Sequence, residues 1–577
     1  AGGAVLLLIV LLLITAIFAF ARRPLLVDSV IQWFQAQIFA SGHLYADAPP
    51  DEAFFAVQHM LVDGSRWYSQ YPPGHSALLG LGAVLGAGWL VPVGLSVGTS
   101  VVLYAFTRRA YDLATARTTV VVLALAPFFW FMGASHMNHV SALFFVAVFL
   151  YLLVLWEGRG SPWILFGAGL AIGAALLSRP LTALAVGIAL TPFVLARAWR
   201  ERDAGSVLAG AVGALAMVCL YLAYNAATTG DPFLPGYIKL WGADHGLGFH
   251  STPWGEMHSL LAGVRNELTD LALLSSLMFE GPVPALLPAG LLFAAGWASK
   301  EWDQRLMVGF LAIPLAYLFY WHRDAFLGPR YLYSGLAFLA PLTARGLLEV
   351  FRRTAGRTLW EGSALTRVPV ASAAGMLLAL SFVYAAAYST PRRFQVYRSG
   401  LASMKVDLAA EATARSVEDA VVFVSVSWGN RLLARMRGLG VSASGAETAY
   451  RQADHCALEM VLRRAEAEGW PRRRTAAAVA DLGPGGETVP ASSPLTNGDP
   501  TLRLVPGVDL PAECLDQIAY DRAGYSNYSP FLADQDPSLE GPLVIARDLR
   551  ERNRELSEAY PQRRALVYRS GRFSPLE

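Results

Sequence analysis

The sequence predicts an α-helical polytopic membrane protein of about eleven transmembrane helices, followed by a C-terminal soluble α/β domain. Three observations carry this. Only 16% of the 577 residues are charged and 54% are hydrophobic, with a mean hydropathy of +0.40, against the roughly 25% charged that soluble domains show. The apolar residues form runs long enough to cross the ~30 Å hydrocarbon layer. The runs also stop near residue 390, beyond which Arg, Asp and Glu occur throughout, so the expected division is 1–390 in the membrane and 391–577 outside it.

The apolar windows lie at 4–21, 90–107, 118–134, 139–156, 162–177, 181–197, 206–224, 283–298, 306–321, 332–350 and 368–388. The first is too long an apolar run for a signal peptide and is expected to be a retained span. A further apolar stretch, 75–90, rises only roughly 20 Å as a helix. It holds five glycines counting Gly74 and is expected to lie flat rather than cross.

Charge arbitrates that expectation, because each choice for 75–90 inverts every later loop. If the stretch does not cross, the basic loops 108–117, 157–159, 197–202, 300–305 and 352–367 share the cytoplasmic side. The opposite side then receives the first loop 22–89, the turns 135–139, 178–179 and 321–330, the loop 225–282 and the C-terminal domain. Arg22-Arg23 runs against this assignment. The expected location is a bacterial inner membrane, with the C-terminal domain on the periplasmic or extracellular side.

With that topology, polar residues that are costly in lipid gather at one face: Asp28, Arg66 and Tyr71 in the first loop, His136, Asn138 and His139, then Arg179, then Lys239, His245 and His250, and finally His322, Arg323, Asp324 and Arg330. Guanidinium groups grip phosphate oxygens bidentately, and a lone carboxylate among them suits a general base. Each member also has an ordinary reading: Asp28 as a helix cap, Arg179 and Arg330 as snorkelling anchors, Tyr71-Pro72-Pro73-Gly74 as a loop breaker, and the i, i+3 pair His136 and His139 as interfacial hydrogen-bonders rather than metal ligands. The formal net charge of +2 excludes a nucleic-acid partner.

Together, Leu26-Val27-Asp28, Ala40-Ser41-Gly42-His43-Leu44-Tyr45 and Tyr71-Pro72-Pro73-Gly74 resemble the first luminal loop of GT-C glycosyltransferases, in the branch of protein O-mannosyltransferases and aminoarabinose transferases. Ser178-Arg179-Pro180-Leu181-Thr182-Ala183, Tyr224-Asn225, Thr229-Gly230-Asp231-Pro232 and Gly328-Pro329-Arg330-Tyr331 extend the likeness over roughly 1–390. The resemblance implies transfer of one sugar from a polyprenyl-phosphate donor to an acceptor hydroxyl, on a glycan, lipid or protein, with inversion. It makes Asp28 the catalytic base. Arg330 and Arg179, with His136, His139, Arg323 and His322, are the expected donor-phosphate residues, and Arg66, Tyr71, Lys239, His245 and His250 the expected acceptor or sugar contacts. Where oligosaccharyltransferases carry an acidic metal motif, this chain has Ser135-His136-Met137-Asn138-His139. Without carboxylates a divalent ion has few hard ligands, so a metal-independent reaction with no cofactor is favoured and a divalent cation is left open. A transporter or flippase, or a non-catalytic binder of lipid-linked sugars, are the competing classes. No inverted repeat supports the first of these.

In the C-terminal part, 420–425, 543–545 and 566–568 read as strands, and 430–439 and 548–558 as helices, the alternation of a small α/β domain that caps the site or binds the acceptor. Residues 480–510, rich in Gly, Pro, Ser and Thr, read as loop. Cys219 lies in an apolar run and reads as a packing residue. Cys456 and Cys514 both lie in the soluble part, and in an oxidising compartment they could pair or stay as two thiols; the sequence leaves both open.

Overall fold

The computed structural model describes residues 2–355, 369–400, 404–489, 502–521, 525 and 527–576. The chain is a multi-pass membrane protein: among the described residues, seven helices are long and apolar enough to cross, namely Gly2–Ala19, Leu90–Ala110, His139–Arg159, Pro180–Glu201, Ala204–Thr229, Arg330–Thr354 and Val370–Ser399. An eighth span exists if Leu113–Ala124 and Pro127–Gly133, bent by 67° at their junction, are taken together. Pro127 supplies no backbone N–H and bars its predecessor from helical geometry; Ala126 is extended accordingly, at φ −99° and ψ 98°.

Three of the expected windows form shorter helices. Window 162–177 is Pro162–Leu176, of 15 residues. Window 306–321 belongs to Glu301–Tyr317, whose first turns carry Glu301, Asp303 and Arg305. Window 283–298 holds only Leu287–Ala294, of 8 residues, because prolines precede it and Gly296, at φ +67°, ends it.

The chain divides into two compact units, one of residues 1–23, 72–223 and 259–401, the other of 24–71, 224–258 and 402–577.

In the first unit the helix ends sort by chemistry. At one end Glu157 pairs with Arg305 and accepts the Trp302 indole N–H at 3.1 Å, while Arg197 donates to the Glu157 carbonyl at 2.6 Å. Arg345, 3% exposed, bridges Asp303 at 3.3 Å and Glu349 at 3.2 Å and lies over the Tyr111 ring, and Arg352 and Arg353 also reach Glu349. The five basic loops thus meet at a single end. At the other end the Arg22 guanidinium lies 5.3 Å over the Trp89 ring, so the first span finishes where the second begins. Between them, the helix Pro73–Val84 has 12 residues, a rise of about 18 Å, and the 75–90 stretch makes no net crossing. Gly74 anchors it, donating to the Leu177 carbonyl at 2.8 Å; a Cβ there would fall 2.8 Å from that of Leu177.

Among the described residues the second unit holds nine strands: β1 Ala46–Asp47, β2 Met60–Asp63, β3 Arg66–Ser69, β4 Ala420–Val424, β5 Glu487–Thr488, β6 Arg503–Leu504, β7 Leu543–Arg547, β8 Arg564–Arg569 and β9 Arg572–Pro575. A three-stranded antiparallel sheet, order β1-β3-β2, forms within the first loop and was not foreseen; its β2–β3 turn contains Gly64 at φ +62°. The larger sheet has the order β7-β4-β8-β9, with β4 parallel to both neighbours and every residue of it buried, as parallel strands covered on both faces require. The expected helix 548–558 begins only at Asn553, after the 3-10 turn Arg550–Arg552. Asp548 is held instead by Asn553 and by the Tyr520 hydroxyl. Of the loop expected at 480–510, the edges form β5 and β6, and 490–501 lie outside the described residues. Val30, Phe34, Phe54 and Trp67 of the first loop share a core with Val422, Phe423 and Ile545. Cys456 and Cys514 are disulfide-bonded, their Cα atoms 5.6 Å apart.

Replacing Arg345 takes the ion pair from the buried Asp303, while Arg352 and Arg353 still reach Glu349. Arg345→Met is expected to destabilise the protein by about 3–5 kcal/mol, read as a drop in thermal midpoint of the detergent-solubilised chain; an unchanged midpoint would show the network to be dispensable.

Candidate functional site

In the first unit the polar residues converge on the ring of Tyr331. Arg179 lies 5.0 Å and Arg330 5.4 Å from its centroid, with His139 at 6.0 Å, His322 at 6.4 Å and Tyr317 stacked at 5.0 Å. The local sequence explains the convergence. Ser178-Arg179 precedes Pro180, which opens a helix and leaves Arg179 extended at its cap. Gly328, at φ +96°, turns the chain into the short helix Arg330–Gly335.

Arg179 donates to the Tyr317 hydroxyl at 2.7 Å and to the Asn138 side-chain oxygen at 3.2 Å, and Thr182 bonds the same hydroxyl at 2.9 Å. Asn138 in turn donates to the Ser178 carbonyl at 3.1 Å. Arg330, buried, pairs with Asp324 at 3.0 Å. Arg179 and Arg330 both act electrostatically on the His139 ring. That ring is buried, and among the described residues neither of its nitrogens has a hydrogen-bond partner. Two guanidinium groups and an imidazole around a tyrosine ring suit an oxyanion.

Two of the residues expected in this group lie elsewhere. Arg323 donates to Asp270 at 2.6 Å, on the helix Leu260–Leu277. The His136 carbonyl accepts from His75 Nε2 at 3.0 Å, and its ring faces His75 and Arg23.

In the second unit Asp28 stands in the first turn of the helix Val27–Ala40, where the backbone dipole favours a negative charge. It is half-buried and accepts the Tyr71 hydroxyl at 2.6 Å. Tyr71 packs edge-on against Tyr237 at 5.5 Å and lies 5.7 Å from His59, and Tyr237 stacks on His245 at 5.1 Å. His59 is fixed by Gln70 at 2.9 Å, whose side-chain oxygen accepts the Trp241 indole N–H at 2.7 Å. Tyr71 and His245 therefore belong to the Asp28 cluster. The other expected contacts are engaged locally: Lys239 with Asp63 at 3.0 Å, Arg66 with the Ala227 carbonyl at 3.0 Å, and His250 with the carbonyls of Gly246 and Ser251. His59, Tyr317 and Tyr331 were not assigned from the sequence. Tyr331 stood inside a recognised motif, whereas Tyr317 sits in an apolar window and carries no signal of its own.

Residues 72–224 match the family model of dolichyl-phosphate-mannose-protein mannosyltransferases. Over that stretch the chain is mannosyltransferase-like. Among solved structures it is similar to ArnT from Cupriavidus metallidurans bound to undecaprenyl phosphate, at 15% identity over 83% of this chain and 74% of that one, with a TM-score of 0.45. It is also similar to the Archaeoglobus fulgidus oligosaccharyltransferase in its apo form, at 13% identity over 74% of this chain and 62% of that one, with a TM-score of 0.39. No curated protein sequence matches the chain.

Beside Arg323, Glu267 is pushed up to about 8 by burial and by Asp270, from a usual 4.5. A carboxyl whose folded value is raised stabilises the fold fully below its unfolded value and loses that contribution as pH rises through the folded one. Stability is therefore expected to decline between about pH 4.5 and about pH 8, and Glu267→Gln to flatten the decline, as read from thermal midpoints across that range. An identical pH profile for the variant would refute the assignment.

Proposed function

We propose that the protein transfers a single sugar from a polyprenyl-phosphate donor to an acceptor hydroxyl at the extracytoplasmic face of the membrane. The observation that carries this is the buried His139 beside Arg179 and Arg330 around Tyr331, an oxyanion site to which the mannosyltransferase-like segment contributes His139 and Arg179. Asp28 is the general base, taking the acceptor proton as the oxygen attacks the anomeric carbon. As the bond from that carbon to the phosphate oxygen breaks, Arg179, Arg330 and His139 meet the charge of the leaving polyprenyl phosphate. A single displacement inverts the anomeric configuration. Tyr71, donating to Asp28, orients the carboxylate, and the cluster of basic loops at the opposite helix ends supports a cytoplasmic placement for that end. No step here draws on a metal ion.

Purified protein incubated with a radiolabelled polyprenyl-phosphate sugar is expected to release free polyprenyl phosphate. Asp28→Asn should abolish release with the thermal midpoint retained. Arg179→Gln should lower turnover about 10²-fold, the loss typical of removing one charge-stabilising donor. Near-normal release by Asp28→Asn would remove the base assignment, and movement of intact donor across vesicles without release would point to a flippase.

A further inference from the structure

The second unit holds a cavity of about 240 Å³ whose wall shares only Trp241 with the two clusters above. Val27, the residue before Asp28, lines it, as does Trp241, whose ring lies 6.0 Å from His59. The rest of the wall comes largely from the C-terminal part of the chain, and its charge is lopsided: Arg437, Arg451 and Arg547 against the carboxylate of Glu447.

Two of these guanidinium groups are matched. Arg451 pairs with Glu447 at 3.2 Å, and Arg437 with Glu52 at 2.9 Å. Arg547 is not. It is 2% exposed and donates to the carbonyls of Ala53 at 2.7 Å and Ala56 at 2.5 Å and to the Asn430 side chain at 2.9 Å, with its guanidinium 4.5 Å over the Tyr528 ring. Among the described residues no carboxylate pairs with it. Burial holds its pKa down to about 10, and it remains a cation at neutral pH. Three of its five N–H donors are engaged. A buried charge facing a cavity without a counter-ion is costly unless something anionic enters. The amides of Gln58, Asn430 and Asn527 on the same wall suit hydroxyl groups around that anion. The volume is below the ~300–1,000 Å³ of sites for drug-sized ligands, so a single small group fits.

We propose that this cavity is an oxyanion site that holds a carboxylate or phosphate borne by the acceptor. The word acceptor rests on the transfer reading above; the anion site does not.

The test is calorimetric titration of the purified full-length protein, without donor, using inorganic phosphate, glucuronate and, as a neutral control, glucose. At least one anion is expected to bind saturably and glucose not to. Arg547→Gln should weaken anion binding about tenfold or more. Because Arg547 also ties down two backbone carbonyls, Ala446→Leu serves as a second variant. It fills the cavity with every guanidinium in place and should also weaken binding about tenfold. Arg464→Gln, an exposed arginine outside the cavity, should bind as the native chain does. Phosphate binding alone identifies a phosphorylated acceptor and glucuronate binding alone an acidic sugar. No saturable binding of either anion, or binding that both cavity variants leave unchanged, overturns the proposal. Asp28→Asn should still bind the anion, so the loss of transfer and the loss of this site are separable.

Discussion

A guanidinium group in a low-dielectric helical bundle has to be partnered, and that requirement organises the membrane part of this chain. Arginine cannot be left bare in hydrocarbon without a cost of several kcal/mol, so the buried ones meet hydrogen-bond acceptors, a carboxylate or an aromatic face. Arg345 and Arg305 meet this need with Asp303, Glu349 and Glu157. Arg179 meets it differently, with the neutral groups Asn138 and Tyr317 and the face of Tyr331. The two ends of the bundle are therefore chemically distinct: one is a closed lattice of ion pairs, and the other gathers Arg179, Arg330 and His139 around the Tyr331 ring.

The same logic applies in the second unit. The Asp28 carboxylate accepts the Tyr71 hydroxyl at 2.6 Å. Tyr71, Tyr237 and His245 form a continuous aromatic wall around it. The core beneath this wall is shared by the first loop and the C-terminal sheet, since Phe34 and Trp67 pack with Phe423 and Ile545. The residues that place Asp28 are thus far from it in sequence, and a change in the C-terminal strands reaches the carboxylate through packing.

Much of this was legible in the sequence wherever the signal was local. The short rise and glycine content of 75–90, together with the basic loops, foretold a stretch that does not cross, and the Arg22–Trp89 contact agrees. The motif Gly328-Pro329-Arg330-Tyr331 contains two members of the cluster around Tyr331. What stayed hidden depends on contacts across long separations. The partners of Arg179 and Arg323 lie on Tyr317 and Asp270, which nothing in their neighbourhoods marks out. The three-stranded sheet of the first loop has strands of two to four residues, too short to show alternation. Window 283–298 misled because apolar composition does not reveal where prolines stop a helix.

The central claim is that the first span finishes and the second begins at one membrane face, opposite the end closed by ion pairs. The most direct measurement is site-directed labelling in intact cells with a membrane-impermeant maleimide, in a Cys219→Ala background. Ala87→Cys is expected to label without permeabilisation, and Ser299→Cys, beside Glu301 and Asp303, only after it. Labelling of both positions from the same side would contradict the account.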